Sequence, residues 1–341
     1  MASLRVAQDL HGEPLQPGQS VSSVDQAEPS PHHHLITALQ LAYGSGNLPL
    51  LSQNSCYAWA AACHELLEED RLDRIDLLEY AARCLHAAFP DIAYLGTLVA
   101  WFDAMPRHLP APLAFRDERA ADIQVVRRAN CDAVLLCFCA RNGTLGLPLN
   151  FSHQWLGRLP VSLIYIKDFH DLAGARGYPS LGSDPEASVS GLKLLLEGLN
   201  AKRVYALGVS LGGYAALHYG LQLGALGVLG LAAATDLTPG FLGSLEPIAP
   251  AHLNVFKQAP EYAKNLFEAY ESMRHKPRVI LAFSAHNIQD RQHAERMAGL
   301  PNVELLPITG YAQHNIVDPL IRQGNYLPLV EGLLSGPQAA A

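Results

Sequence analysis

Charged residues are scarce in this sequence. Asp, Glu, Lys and Arg make up 16% of the 341 residues, whereas roughly a quarter is usual in soluble domains. Lys and Arg number 24 against 32 Asp and Glu, which gives a formal net charge of −8 at pH 7. The sequence therefore lacks both the basic footprint of a nucleic-acid-binding protein and the polybasic patch that attracts a membrane surface. We expect no nucleic-acid partner.

Long apolar runs are missing as well. The longest, such as residues 223–234, are short, rich in glycine and deep inside the chain, whereas a transmembrane helix needs about 20 apolar residues. The first 31 residues contain no apolar segment of the kind found in a signal peptide. We therefore expect no membrane span and no secretory leader.

The six cysteines form no CxxC pair and no metal-binding spacing with histidine. Reduced thiols and a cytoplasmic location are the simplest interpretation. The glycine-rich stretch 174–185 has no P-loop lysine. Asp168 lies in a short acidic and histidine-containing loop, but such an aspartate more commonly binds its own backbone than a metal. We expect neither a metal nor a cofactor.

The chain is 49% hydrophobic. Its apolar residues follow two different patterns, one before and one after residue 112. Residues 1–31 are rich in Pro, Ser, Gln and Gly and are typical of a flexible arm. Residues 32–112 have helical periodicity, clearest in Leu72–Phe89, where apolar residues recur at steps of three and four. This segment and the helical stretch before it, Tyr57–Leu67, resemble a single tetratricopeptide-type unit, and that resemblance implies a protein partner at this helical domain. A plain helical bundle stays open as the alternative.

After residue 112 the pattern changes to short apolar β-rich runs separated by helical segments. The runs are Ile123–Val126, Ala133–Cys139, Val161–Ile166, Arg203–Leu207, Leu226–Leu231, Val279–Phe283 and Val303–Leu306. Near-continuous apolar strands alternating with helices predict an α/β fold, a mostly parallel sheet with helices on both faces. We place this domain at 113–335, with an insertion at about 236–276 and a tail at 336–341.

One strand leads straight into a glycine-flanked serine. The motif Gly208-Val209-Ser210-Leu211-Gly212-Gly213 follows the run Arg203–Leu207 and precedes a helical segment. A sharp strand-to-helix turn of this kind exposes Ser210 Oγ at the start of a helix. Glycine at 208 and 212 removes Cβ atoms that would clash there. The spacing indicates a nucleophile elbow.

The motif and its frame resemble the α/β-hydrolase superfamily over about residues 123–335. In that family the catalytic triad follows the chain order serine, acid, histidine. The resemblance assigns the base to His314, in the loop after the last strand. It assigns the acid to Asp290, the one carboxylate in the loop after Val279–Phe283. An N-cap role for Asp290 before a helix Arg291–Ala298, with Asp236 as the triad acid, stays open as the alternative.

The same resemblance implies an oxyanion hole. The backbone N–H of Leu211 would supply one donor, and the loop after Ala133–Cys139 would supply the other. The His-Gly pair frequent in the family is missing from this loop, which reads Cys139-Ala140-Arg141. By position we expect the second donor at Ala140, with Cys139 as the alternative.

These assignments predict a serine hydrolase that cleaves a small-molecule ester or thioester through an acyl-enzyme on Ser210. The apolar residues of the insertion, among them Phe241, suit a lipophilic or aromatic acyl group. An acyltransferase with the same triad is the second hypothesis. A non-catalytic binding module with a helical interaction unit is the third.

Overall fold

The computed structural model describes residues 75–170, 172–245 and 264–335. Several predictions lie outside these ranges: the arm 1–31, the helix Tyr57–Leu67, the middle of the insertion and the tail 336–341. Among the described residues, no helix combines the length and apolar character that crossing a bilayer demands. The same ranges hold no group of three or more side chains suited to bind a metal.

A seven-stranded sheet forms the centre of the fold. Its strands are β1 (Ile123–Val126), β2 (Ala133–Phe138), β3 (Ser162–Ile166), β4 (Arg203–Val209), β5 (Gly227–Leu231), β6 (Arg278–Ser284) and β7 (Val303–Ile308). Their order is β1-β3-β2-β4-β5-β6-β7. Among the strands of the described residues, the edge strand β1 alone runs antiparallel to its neighbour, and the other pairs are parallel. The predicted mostly parallel sheet is confirmed.

Helices connect and cover these strands. They are α1 (Ile75–Ala88), α2 (Ala93–Asp103), α3 (Leu149–Leu156), α4 (Pro185–Gly198), α5 (Leu211–Gln222), α6 (Pro239–Ser244), α7 (Leu266–Ser272), α8 (Ile288–Arg296), α9 (Val317–Arg322) and α10 (Tyr326–Leu334). A 3₁₀ turn, Arg141–Gly143, follows β2. Parallel strands require such crossovers, because the chain must return to the same end of the sheet before each new strand begins.

The sheet separates two hydrophobic cores. Along β2, Leu135 and Cys137 enter one core while Val134, Leu136 and Phe138 enter the other, because successive side chains of a strand point to opposite faces. Helices α1, α2, α3, α9 and α10 cover the first core, and α4, α5, α7 and α8 cover the second. Helices on both faces are therefore confirmed. Cys137 and Cys139 are buried in the first core as free thiols.

The α1–α2 hairpin packs into the first core together with the sheet. Trp101 of α2 also donates a hydrogen bond of 2.7 Å from Nε1 to Asp318 Oδ1 on α9. The tetratricopeptide-like interpretation gains no support, since the first helix of the supposed pair lies outside the described residues. The boundary at 112/113 stays a prediction.

Candidate active site

Strand β4 ends at Val209, and α5 begins at Leu211, so Ser210 alone makes the turn between them. Its φ of 56° and ψ of −120° lie in a region that non-glycine residues rarely adopt. Hydrogen bonds hold the residue there: Ser210 N donates to Leu231 O at 2.9 Å, and Ser210 O accepts from Gly213 N at 2.9 Å. Strain of this kind persists where the surroundings enforce it, and it clusters at functional sites.

Two glycines make this turn possible. A Cβ atom at Gly208 would overlap the carbonyl oxygen of Gly212, and a Cβ atom at Gly212 would overlap the carbonyl oxygens of Phe138 and Cys139. The sequence-based expectation that side chains would clash at both positions is confirmed. The close approach also brings the loop after β2 against the start of α5.

The structure brings Ser210, His314 and Asp290 into one hydrogen-bonded chain. Ser210 Oγ lies 2.8 Å from His314 Nε2. On the other side of the ring, His314 Nδ1 lies 2.6 Å from Asp290 Oδ1. A carboxylate can only accept, so Nδ1 bears the proton and Nε2 is left to accept from the serine hydroxyl. The arrangement can take a proton from Ser210.

Asp290 lies in the first turn of α8 and is 4% exposed. The helix was expected to begin at Arg291, but it begins at Ile288. Asn287 is its N-cap, and its Oδ1 accepts from Asp290 N at 3.1 Å. The N-cap interpretation of Asp290 is therefore wrong, because Asn287 already fills that position.

The carboxylate of Asp290 is only half satisfied. Oδ1 accepts from His314, whereas Oδ2 is buried and has no hydrogen-bond partner among the described residues. Burial raises the pKa of the Asp290 carboxyl, and the hydrogen bond from His314 opposes that rise. Ionised Asp290 thus depends on His314 as its partner.

Asp236, the alternative acid, is engaged elsewhere. Its Oδ1 accepts from Thr238 N at 2.8 Å and from Thr238 Oγ1 at 2.7 Å. Its Oδ2 accepts from Arg296 Nε at 2.7 Å. Nearby, burial lowers the pKa of His293 to about 4, and its Nδ1 accepts from Thr235 N. These contacts fasten the loop after β5 to α8, and none of them joins Asp236 to His314.

The predicted oxyanion donors differ in whether their N–H groups are already hydrogen-bonded. Leu211 is the first residue of α5, and the first N–H groups of a helix have no partner within the helix. Ala140 N instead donates to Thr144 O at 2.7 Å, and Cys139 N donates to Ile166 O at 2.8 Å. In this conformation neither Ala140 nor its alternative Cys139 offers its N–H to a substrate.

A shallow, open pocket lies beside these backbone groups. It is bounded by the start of α5, the loop after β2 and the loop after β3. Both Leu211 and Ala140 line it. On its far side, Asp168 accepts backbone N–H groups of residues 170, 172 and 174, each at 2.8 Å. The expectation that Asp168 binds its own backbone is confirmed.

Sequence reasoning missed the residues that hold the histidine loop, defined as residues 309–316. Ser284, the last residue of β6, donates from Oγ to Tyr311 O at 2.5 Å. Asn315, next to His314, donates from Nδ2 to Gly146 O at 2.7 Å. Their positions at a strand end and beside the predicted base were the available signals.

Several solved structures are similar to this chain. A capsule O-acetyltransferase of Neisseria meningitidis serogroup A is 12% identical, with a TM-score of 0.46, over 66% of this chain and 95% of that chain. The esterase Pf2001 of Pyrococcus furiosus is 14% identical, with a TM-score of 0.41, over 60% and 81%. The enterobactin esterase of Shigella flexneri is 16% identical, with a TM-score of 0.40, over 62% and 55%. No protein-family model and no curated protein sequence matches the chain.

Proposed function

We propose that this protein is a serine hydrolase that cleaves a carboxylic ester or thioester through an acyl-enzyme on Ser210. The observation that supports this proposal is the hydrogen-bonded chain from Ser210 Oγ through both ring nitrogens of His314 to Asp290. This hydrogen-bonded chain begins at the strained turn at the carboxyl end of β4, and its histidine lies in the loop that follows β7.

In the first step, Ser210 Oγ attacks the carbonyl carbon while its proton passes to His314 Nε2. Asp290 keeps the ring in the required tautomer and stabilises the imidazolium. The tetrahedral intermediate then collapses, the bond to the leaving oxygen or sulfur breaks, and His314 returns the proton to that atom. Water repeats the sequence on the acyl-enzyme and releases the acid.

Negative charge develops on the carbonyl oxygen during both attacks. Leu211 N–H, at the positive end of α5, would donate to it. Ala140 N–H would join only if its hydrogen bond to Thr144 O opened. Losing one such donor typically costs about 3 kcal/mol of transition-state stabilisation, so this opening would affect the rate strongly.

Hydrolysis is favoured over acyl transfer by the exposure of the base. The side chain of His314 is 51% exposed within the described part of the chain, which leaves the base open to water. An acyltransferase would need to exclude water from the acyl-enzyme.

The test is labelling with a fluorophosphonate probe, read by intact mass, on wild type, Ser210→Ala and His314→Ala. We expect one adduct on wild type and none on either variant. An ester and thioester panel should then show turnover that Ser210→Ala lowers by about 10⁶-fold. Ester turnover that survives in Ser210→Ala would refute the mechanism. Products formed with a competing alcohol separate hydrolysis from transfer.

A further inference from the structure

Asn315 uses both ends of one amide to join two loops. Its Nδ2 donates to Gly146 O at 2.7 Å, and its Oδ1 accepts from Val317 N at 3.2 Å. The first hydrogen bond joins the histidine loop to residues 139–148 between β2 and α3, which we name the oxyanion loop. The second closes an Asx turn that starts α9. Asparagine suits both tasks because its amide offers a donor and an acceptor.

The oxyanion loop meets Asn315 at a point where only glycine fits. Gly146 has a φ of +80°, a region that disfavours other residues. A Cβ atom there would lie 2.5 Å from Val317 Cγ2 and 3.0 Å from Asn315 Oδ1. The two loops therefore touch without space between them at the start of α9.

Burial in this region does not depend on Asn315. Its neighbours Ile316 and Val317 are buried in the first core, as are Leu145 and Leu147 on either side of Gly146. The amide of Asn315 is only partly buried. Its hydrogen bond to Gly146 therefore adds alignment between the loops rather than a large share of apolar burial.

We propose that Asn315 is a positioning residue, which fixes the distance between His314 and the oxyanion loop. This inference rests on the proposed function. For Ala140 N–H, once released from Thr144 O, to reach a carbonyl oxygen bound beside Leu211, the oxyanion loop must lie at a set distance from Ser210. At the same time His314 must keep Nε2 on the serine. Asn315 is one residue from His314 and bonds directly to the oxyanion loop, so it links these two requirements.

The test compares Asn315→Ala with Asn315→Gln and with Asn325→Ala. Asn325 is an exposed asparagine before α10 whose Nδ2 donates to Gln323 Oε1, and it is the matched control. We expect Asn315→Ala to lower kcat by about 10- to 100-fold with little change in KM, as loss of alignment does. Asn315→Gln retains an amide donor and should recover part of kcat. Asn325→Ala should keep the wild-type kcat.

A second readout does not need a substrate. The Nδ1 proton of His314, bonded to Asp290, should give a downfield proton NMR signal that is missing in His314→Ala. We expect this signal to broaden in Asn315→Ala and to persist in Asn325→Ala at equal Tm.

The two readouts separate the possible failures. If wild type neither reacts with the fluorophosphonate probe nor cleaves any ester, the proposed function fails, and the NMR signal alone decides the positioning role. If wild type is active but Asn315→Ala keeps its kcat, or its NMR signal is unchanged, the positioning role is refuted. Equal losses of kcat in Asn315→Ala and Asn325→Ala would also refute it.

Discussion

Two buried aspartates at the same edge of the sheet have opposite surroundings. Asp236, which is fully buried, accepts two hydrogen bonds from Thr238 and one from Arg296. Asp290 is almost as buried, yet one of its oxygens has no partner among the described residues and the other faces His314. A carboxylate whose oxygens are all satisfied locally stabilises a loop. One that depends on a single histidine is suited to act through that histidine.

Replacing Asp290 by Asn should give the largest effect, a loss of kcat that the same change at Asp236 does not cause. The amide can donate to Nδ1 of His314 and favour the tautomer that cannot accept from Ser210. We expect kcat to fall by about 10⁴-fold. Steady-state hydrolysis of a nitrophenyl ester measures the change, with Asp236→Asn as the matched control. A loss of kcat of less than tenfold in Asp290→Asn would contradict the conclusion that Asp290 acts through His314.

Replacing Asp236 by Asn should act on stability instead. Asparagine keeps an oxygen that can accept from Thr238 but loses the charge that Arg296 Nε binds, and one hydrogen bond to a charged group contributes about 1.5–3 kcal/mol. We expect the free energy of unfolding to drop by an amount in this range, because the Arg296 side chain is partly exposed and a solvated ion pair adds little more. Urea denaturation measures it. A folded Asp236→Asn enzyme with wild-type stability and greatly reduced kcat would reverse the assignment of the two acids.

The smallest expected effect is a pH-dependent difference in stability between wild type and Asp290→Asn. Burial raises the pKa of Asp290 in the folded state, so folding favours its protonated form. Ionised Asp290 therefore costs stability at neutral pH, and that cost disappears as the pH falls through the folded-state pKa. Asp290→Asn should gain stability over wild type at pH 7, and the gain should vanish below the pKa of an unfolded aspartate, about 3.9. If the stability gain of Asp290→Asn over wild type grew as the pH fell, the pKa of Asp290 could not be raised by folding.

Much of the fold was predictable because parallel strands buried on both faces leave a plain signal. Runs such as Ala133–Cys139 are apolar at every position, and helical segments separate them. The elbow was predictable for a similar reason, since Gly208 and Gly212 are required by backbone contacts close to Ser210. The family resemblance assigned His314 to the loop after the last strand and Asp290 to the segment after β6, and the fold brings the two side chains within hydrogen-bond distance.

Other parts of the site had no signal of this kind. The hydrogen bond from Ala140 N to Thr144 O joins two backbone groups, and side-chain identity does not encode it. The start of α8 was misplaced because Asn287 and Asp290 are both good N-cap residues three positions apart. Choosing between Asp236 and Asp290 required knowing that Arg296, sixty residues further along the chain, reaches Asp236.

The hydrogen bond between Trp101 and Asp318 bears on whether the α1–α2 hairpin can be removed or exchanged. The α1–α2 hairpin covers a core that the sheet shares, and it also satisfies a carboxylate on α9, three residues after Asn315. Cutting the chain near residue 112 would expose that apolar surface to water and leave Asp318 without its indole partner. The hairpin is thus not an interchangeable module, and residues 113–335 transplanted without it would need a replacement lining on this face.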